Sequence, residues 1–298
     1  MFPKRKTSGG AALRARLAQP GVVVAPGAFS PLIARLVEQV GFEAVYMTGN
    51  GTVANLLDLP DIGLATMTEM VLQARNMAGR VTIPVIADAD TGNGNAISVI
   101  RTVREYERAG VAAIHLEDQD WPKRCAILER AKVVPVDEMV GKIRAAVDAR
   151  EDADLIIIAR SDALGAEGLQ PALARGEAYL SAGADVLFIE GAKSIDEVRM
   201  IGNHFRGASL LYNIGAGGET PKLTVREVEE FGYKIAILPV FTLLAATRSV
   251  RELLIDLRVT GDINRSLDRC DSFDDLLAAV DFNAVDELEQ RYGIGPRA

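Results

Sequence analysis

Residues 83–119 read IPVIADADTGNGNAISVIRTVREYERAGVAAIHLEDQ and hold one whole strand–helix–strand unit. Ile83–Ala87 is continuously apolar, which suits a parallel strand covered on both faces. Ala96–Ala109 follows with helical, amphipathic periodicity. The pair Ala109-Gly110 ends it, because glycine supplies the left-handed residue that closes a helix and leads into the next strand. Ala112–Leu116 is then a second apolar run. Polar clusters sit just beyond each strand, Asp88-Ala89-Asp90-Thr91-Gly92-Asn93-Gly94 after the first and Glu117-Asp118-Gln119 after the second.

The same phrase repeats outward in both directions. Apolar runs occur at Val22–Ala25, Ala44–Met47, Leu155–Ala159, Val186–Ile189, Ser209–Tyr212 and Ile235–Leu238. Amphipathic stretches at Val136–Ala149, Pro171–Ala182 and Thr224–Gly232 lie between them, and Gly41, Gly183 and Gly232 stand at the same helix-to-strand joints as Gly110. About eight such units without a linker predict an α/β fold, a (β/α)8 TIM barrel, which typically needs ~250 residues. The competing doubly wound sheet lacks its phosphate fingerprint, since the first turn reads Ala25-Pro26-Gly27-Ala28. The 298 residues are therefore read as a single barrel domain, with an N-terminal leader and helix over about 1–20 and a helical extension over about 250–298. Met1–Gly10 reads as a frayed leader without the apolar core of a signal peptide. Ser272–Val280 and Val285–Tyr292 read as helices of the extension, suited to packing on the barrel or on another subunit.

Composition excludes several classes of function. The chain is 49% hydrophobic and 25% charged, with a net charge of −8, so nucleic acid and anionic membrane surfaces are excluded as expected partners. The apolar stretch Ile235–Ala246 is broken by Pro239 and is shorter than the ~20 residues a membrane span needs. Two cysteines make no disulfide framework, pointing to a reduced, cytoplasmic protein.

The chemistry gathers at strand ends, which in a barrel form the catalytic face. Asp88, Asp90 and Glu117, with Asp118 as an optional fourth, crowd one mouth. Like charges there repel unless a cation joins them. Helix capping accounts for one such acid, but not for several on adjacent strands. Oxygen ligands without neighbouring His or Cys favour a hard ion, most simply Mg2+. Arg160-Ser161-Asp162, Glu190 and Asn213 follow later strands. Beyond Gln119 the long loop Trp121-Pro122-Lys123-Arg124-Cys125, running to about Val133, reads as a lid. Lys123 and Arg124 favour the Cys125 thiolate and make that thiol a proton donor, although a free cysteine is as often a small buried hydrophobe. Trp121 reads as a loop anchor, Cys270 as inert packing in the helical tail, His204 as a surface-helix residue and His115 as a core or helix-facing one. Neither histidine has zinc-ligand spacing, and no GxSxG elbow is present.

Taken together, these motifs resemble the isocitrate lyase and phosphoenolpyruvate mutase superfamily, over about Gly21 to Pro239. Pro26-Gly27-Ala28-Phe29, Leu59-Pro60-Asp61-Ile62-Gly63, Ile158-Ala159-Arg160, Ala182-Gly183-Ala184-Asp185 and Asn213 with Thr220-Pro221 extend the match. Within the superfamily the chain is similar to the methylisocitrate lyase-like and 2,3-dimethylmalate lyase-like branch, with a divergent lid. The resemblance implies a barrel whose last helix is swapped between subunits of a homotetramer, a dimer of dimers. It also implies Mg2+, with Mn2+ as a substitute, and small 2-hydroxy or 2-oxo carboxylic acids that react through an enolate. It places Asp88 on the metal, Asp90 and Glu117 on its waters, and Thr48, Gly49 and Asn50 at the substrate carboxylate with Tyr46 and Asp61 beside them. Arg160 binds the acid as a bidentate partner, Glu190 and Asn213 complete the substrate site, and Lys123 and Cys125 belong to the catalytic lid. Two positions depart from the family pattern. Ile127 stands where the lyases carry His, and Ala216 where they carry Glu, which points to a less polar or differently charged substrate than isocitrate or methylisocitrate. The implied activity is an Mg-dependent carbon–carbon lyase acting on a malate-like acid. The alternatives are an oxaloacetate-like decarboxylase or hydrolase, a phosphonate-metabolising phosphomutase relative, and a non-catalytic barrel.

Overall fold

Strands that are apolar on both faces need cover on both faces, and a closed sheet ringed by helices provides it. In a computed structural model, residues 7–124 and 132–293 are described. The strands are β1 Val23–Ala28, β2 Val45–Met47, β3 Val85–Asp88, β4 Ala113–Glu117, β5 Ile156–Ser161, β6 Val186–Ile189, β7 Leu211–Asn213 and β8 Ile235–Leu238. All pair in parallel in the order 6-5-4-3-2-1-8-7. A single bridge between Leu187 and Leu210 brings β6 and β7 together, so the eight strands form a nearly closed barrel.

The helices follow in chain order: α1 Gly9–Leu17, α2 Pro31–Val40, α3 Gly49–Leu57, α4 Met67–Ala78, α5 Ala96–Ala109, α6 Val136–Ala149 and α7 Ala163–Glu167. Then come α8 Leu169–Ser181, α9 Ile195–His204, α10 Val225–Glu230, α11 Phe241–Thr260, α12 Phe273–Ala279 and α13 Asn283–Arg291. Helices α5 and α6 have the bounds their periodicity predicts. Gly41, Gly110, Gly183 and Gly232 all carry positive φ at the joints the sequence marks. The short α3 and α7, at the catalytic end, are absent from the sequence reading.

Strand alternation divides the core in two. Val23, Ala25, Tyr46, Ile86, Ile156, Ile158 and Phe188 fill the barrel lumen, while Ile114, Leu116, Ile157, Ala159 and Leu187 pack under the helices. Helix α1 closes the bottom. Leu13 enters the lumen cluster, and Arg14 donates to Asp185 at 2.8 Å and to the Asp154 carbonyl. Gly9 and Gly10 are buried at its start, correcting the expectation of a frayed leader as far as Gly10. Gly10 lies so close to the Asp154 carbonyl that a Cβ would collide with it.

Helix α11 buries none of its 20 residues, and Phe241, Leu244, Val250, Leu254 and Ile255 are exposed along it. Beyond it, Asp281 anchors the tail to the barrel through Arg35 (2.6 Å) and Arg80 (3.3 Å). Cys270 lies between the tail's turns and is exposed, not packed in a helix as the sequence suggests. No described helix is long and apolar enough to cross a membrane.

Candidate active site

Strands β2 to β7 deliver polar side chains to the catalytic end, and the loops fix their direction. Asp88 ends β3, and its Oδ1 accepts from the Asp90 N–H at 2.9 Å. That turn puts Asp90 in the left-handed region at φ +49°. Helix α5 pins the loop from behind, with the Tyr106 hydroxyl on the Asp88 carbonyl (2.8 Å) and the Thr102 hydroxyl on the Gly92 carbonyl (3.0 Å). Opposite, Thr48 caps α3. A Cβ on Gly49 would strike the Asp88 carboxylate, so only glycine lets the two approach.

Cations and acids interleave above the lumen. Lys123 Nζ lies 2.5 Å from Asp61 and 2.6 Å from Asp90. Arg160 forks Asp162 through Nε (3.0 Å) and Nη2 (2.8 Å), and its Nη1 lies 3.0 Å from Glu117. The guanidinium also rests on the Phe188 ring, 5.3 Å from its centre. Glu190 accepts from Asn213 Nδ2 at 3.0 Å and from the Gly191 N–H. A cavity of about 970 Å³ unites Tyr46, Thr48, Asn50, Asp61, Asp88, Glu117, Lys123, Arg160, Glu190 and Asn213. Gly49 lies beneath Asp88 and Asp90 behind Lys123. Ala216 lines the wall among Gly215, Gly217 and Gly218. Cys125 and Ile127 lie outside the described residues.

Of the two placements the sequence leaves open for His115, core or helix-facing, the structure has the core. His115 faces the lumen rather than the helices, with Nε2 2.7 Å from the Tyr46 hydroxyl and 3.2 Å from Asp88 Oδ1. Its signal was available, since two residues before Glu117 on a strand is the same face. By the same rule Asp118 points the other way, into the helix layer, and is not a fourth acid of the mouth. Asp162, grouped with Arg160 at the end of β5 but given no role by the sequence, lies on the lumen face by the same rule.

Among the described residues, six buried carboxylates, Asp61, Asp88, Asp90, Glu117, Asp162 and Glu190, meet two buried permanent cations here, Lys123 and Arg160. The surplus is visible in their protonation. Burial pushes Asp90 up to about 6, against Lys123 and helped by Asp88 and Asp61. Burial likewise holds Glu117 well above the ordinary range despite Arg160. For Asp88, burial is overcome by His115, Lys123 and Arg160, and its carboxyl stays well below the usual range. Glu117 Oε1 is buried without a hydrogen-bond partner among the described residues. No three acidic or imidazole groups among those residues close on one point. An acid surplus with an orphaned oxygen and no closed cage fits a mostly hydrated Mg2+, which takes one or two carboxylates and keeps its waters.

The family model of phosphoenolpyruvate phosphomutase matches residues 13–258. The 2,3-dimethylmalate lyase of Eubacterium barkeri is 43% identical over 96% of this chain and 98% of its own. Oxaloacetate acetylhydrolase, solved with the inhibitor 3,3-difluorooxalacetate, superposes with a TM-score of 0.92 at 35% identity, over 97% of this chain and 99% of its own. Phosphonopyruvate hydrolase, solved with oxalate and Mg2+, gives a TM-score of 0.88 at 33% identity, over 96% and 99%. The barrel, its acid-rich mouth and these likenesses agree, and the chain belongs to the phosphoenolpyruvate mutase/isocitrate lyase superfamily.

Proposed function

We propose that the protein is an Mg2+-dependent carbon–carbon lyase that cleaves a substituted 2-hydroxy, malate-like acid into a 2-oxo acid and a second carboxylic fragment. The observation that carries this reading is the surplus of buried carboxylates facing Arg160 across one cavity. The 2,3-dimethylmalate lyase relative supports it, and the Mg2+ in phosphonopyruvate hydrolase supports the metal. Asp88 would hold the ion directly, with Asp90 and Glu117 on its waters. When bound, it would act as a Lewis acid that stabilises negative charge developing on substrate oxygen.

The chain's own groups do the rest. Arg160 has five N–H donors, spends two on Asp162 and turns Nη1 to Glu117, which still leaves donors for a substrate carboxylate. The start of α3, at Thr48, Gly49 and Asn50, adds a helix N-terminus suited to the same anion. A carboxylate of the mouth takes the 2-hydroxyl proton as the C2–C3 bond breaks, C2 becomes the carbonyl of the 2-oxo acid, and the electron pair of the broken bond passes to the departing fragment as an enolate. The Cys125 thiol then returns a proton to that carbon. Ala216 at the wall leaves room for an alkyl substituent, where a glutamate would fill the space and lose its hydration against it.

Proton NMR of the protein with Mg2+ and a pool of malate-like, citrate-like and 2-oxo acids tests the reading. Pyruvate-type products that EDTA abolishes support it. Loss of oxaloacetate alone would instead favour an oxaloacetate hydrolase or decarboxylase, the reading that the likeness to oxaloacetate acetylhydrolase supports. Cys125→Ser separates them, since only the lyase needs the thiol. A chain that binds neither Mg2+ nor oxalate would be a non-catalytic barrel. The proposal includes a cytoplasmic homotetramer with its last helices swapped between subunits, and the bare apolar face of α11 supports cover by another subunit. Light scattering of a monomer at working concentration would overturn that assembly.

A further inference from the structure

We infer that Asp118, a buried carboxylate outside the catalytic cavity, is a positioning residue that holds Arg160 in its substrate-binding orientation by fixing the backbone at Asp162. The inference rests on the reading of Arg160 as the group that binds the substrate carboxylate.

Strand alternation sends the two neighbours Glu117 and Asp118 to opposite sides of β4, and Arg160 and Ser161 to opposite sides of β5. On the lumen side Arg160 meets Glu117. On the helix side Asp118 is fully buried and absent from the cavity lining. Both of its oxygens are engaged. Oδ2 accepts from the hydroxyls of Ser161 and Tyr179, each at 2.7 Å, and Oδ1 accepts from the Asp162 N–H at 2.8 Å. That N–H belongs to the residue whose own carboxylate turns back to fork Arg160. The chain of contacts therefore runs from α8 through Asp118 and the Asp162 backbone to the guanidinium.

The outer end is anchored firmly. Arg175, also buried, donates to the Tyr179 hydroxyl (3.1 Å) and the Val134 carbonyl (2.9 Å), and forks Glu167 through two bonds of 2.9 Å. The Asp118 backbone adds two further ties, its N–H to the Arg160 carbonyl and its carbonyl to the Val134 N–H. A carboxylate accepting three hydrogen bonds in a dry interior is costly to form and costly to lose, and gives one geometry rather than several. The Mg2+ and substrate contacts proposed above use none of these atoms.

The test is a double-mutant cycle with oxalate as the probe, its affinity measured by calorimetry in Mg2+. Asp118→Ala is expected to weaken oxalate about 10- to 100-fold in the wild-type background but less than about threefold in Arg160→Lys, where no fork remains to be held. Asp118→Asn keeps an acceptor for the Asp162 N–H and can donate to the two hydroxyls, so it should stay within about threefold of wild type. Should Asp118→Ala fail to fold, Asp118→Leu with Tyr179→Phe makes that one hydrogen-bonded pair apolar, still frees the Asp162 N–H, and is expected to give the same loss. Equal losses in the two backgrounds, or no loss in either, would overturn the inference. A ligand-free crystal structure of the variant gives a reading independent of the lyase assignment. Arg160 released from Asp162 supports the positioning role even if oxalate does not bind the wild type, and an unchanged fork refutes it.

Discussion

Lys123→Met isolates the electrostatic argument for the site. The ammonium lies 2.5 Å from Asp61 and 2.6 Å from Asp90, and all three side chains are less than a tenth exposed. At about 2.6 Å and an effective dielectric near 20, each gross attraction is about 6 kcal/mol. Much of that offsets the desolvation of the charges, so the observable quantity is the cost of leaving two buried carboxylates behind. Breaking a buried pair from one side costs about 3–5 kcal/mol. A chain of this size loses roughly 2–4 °C of Tm per kcal/mol, so the variant should melt about 6–20 °C lower in EDTA. Methionine fills similar volume, which keeps the packing change small. If the acids at this mouth are poised for a divalent cation, Mg2+ replaces part of the missing charge, and its stabilisation should be larger in the variant than in wild type. Thermal melts of both proteins, at one protein concentration, with EDTA and with Mg2+, read both effects. A variant that melts within about 2 °C of wild type in EDTA would refute the view that Lys123 compensates these carboxylates.

Gly49→Ala should lower turnover at least about 100-fold while leaving the melt nearly unchanged, because its methyl group displaces the Asp88 carboxylate by a fraction of an ångström to an ångström. Glu38→Gln gives a pH signature. Burial raises the Glu38 carboxyl, but the hydroxyl and N–H of Thr82, with Arg35 and the Ile83 N–H, outweigh it and hold the group below its ordinary 4.5. A depressed folded value stabilises above the unfolded pKa and is lost as pH falls through the folded one. The variant should therefore be less stable by about 1–2 kcal/mol at pH 7, and the gap in urea midpoints should close below pH ~4.5. A gap that persists in acid would contradict this. Gly202→Ala drives a methyl group into the Phe231 carbonyl at the end of α10. It should destabilise by about 1–3 kcal/mol in urea melts without changing oxalate affinity.

The parts of the structure that sequence made legible are those set by local pattern. The strands were readable because a barrel strand is apolar on both faces, and α5 and α6 because amphipathic periodicity ran uninterrupted to a glycine. Helices α3 and α7 were not, since nine and five residues at the catalytic end carry too few turns to show a period. Helix α11 runs across residue 250, where the sequence reading begins the extension, and its hydrophobes do not say which chain covers them. Neither does a strand's sequence state which of its two faces is the lumen.

That last point decides the site. Glu117 and Asp118 are adjacent acids of nearly the same chemistry, and the motif treats them as one cluster. The pairing of β4 with its neighbours, Asp88 opposite His115 and Glu117 opposite Arg160, turns the odd-numbered residues inward. His115 thereby joins the acids, and Asp118 leaves them for Tyr179 and Ser161. A register shift of one residue would exchange the two roles. The chemistry of the residues was therefore visible in the chain, while their assignment to catalysis or to support was fixed by strand pairing. Asp118 gains its proposed role from that pairing, because only a carboxylate on the far side of the strand can hold the Asp162 backbone without competing with substrate for Arg160.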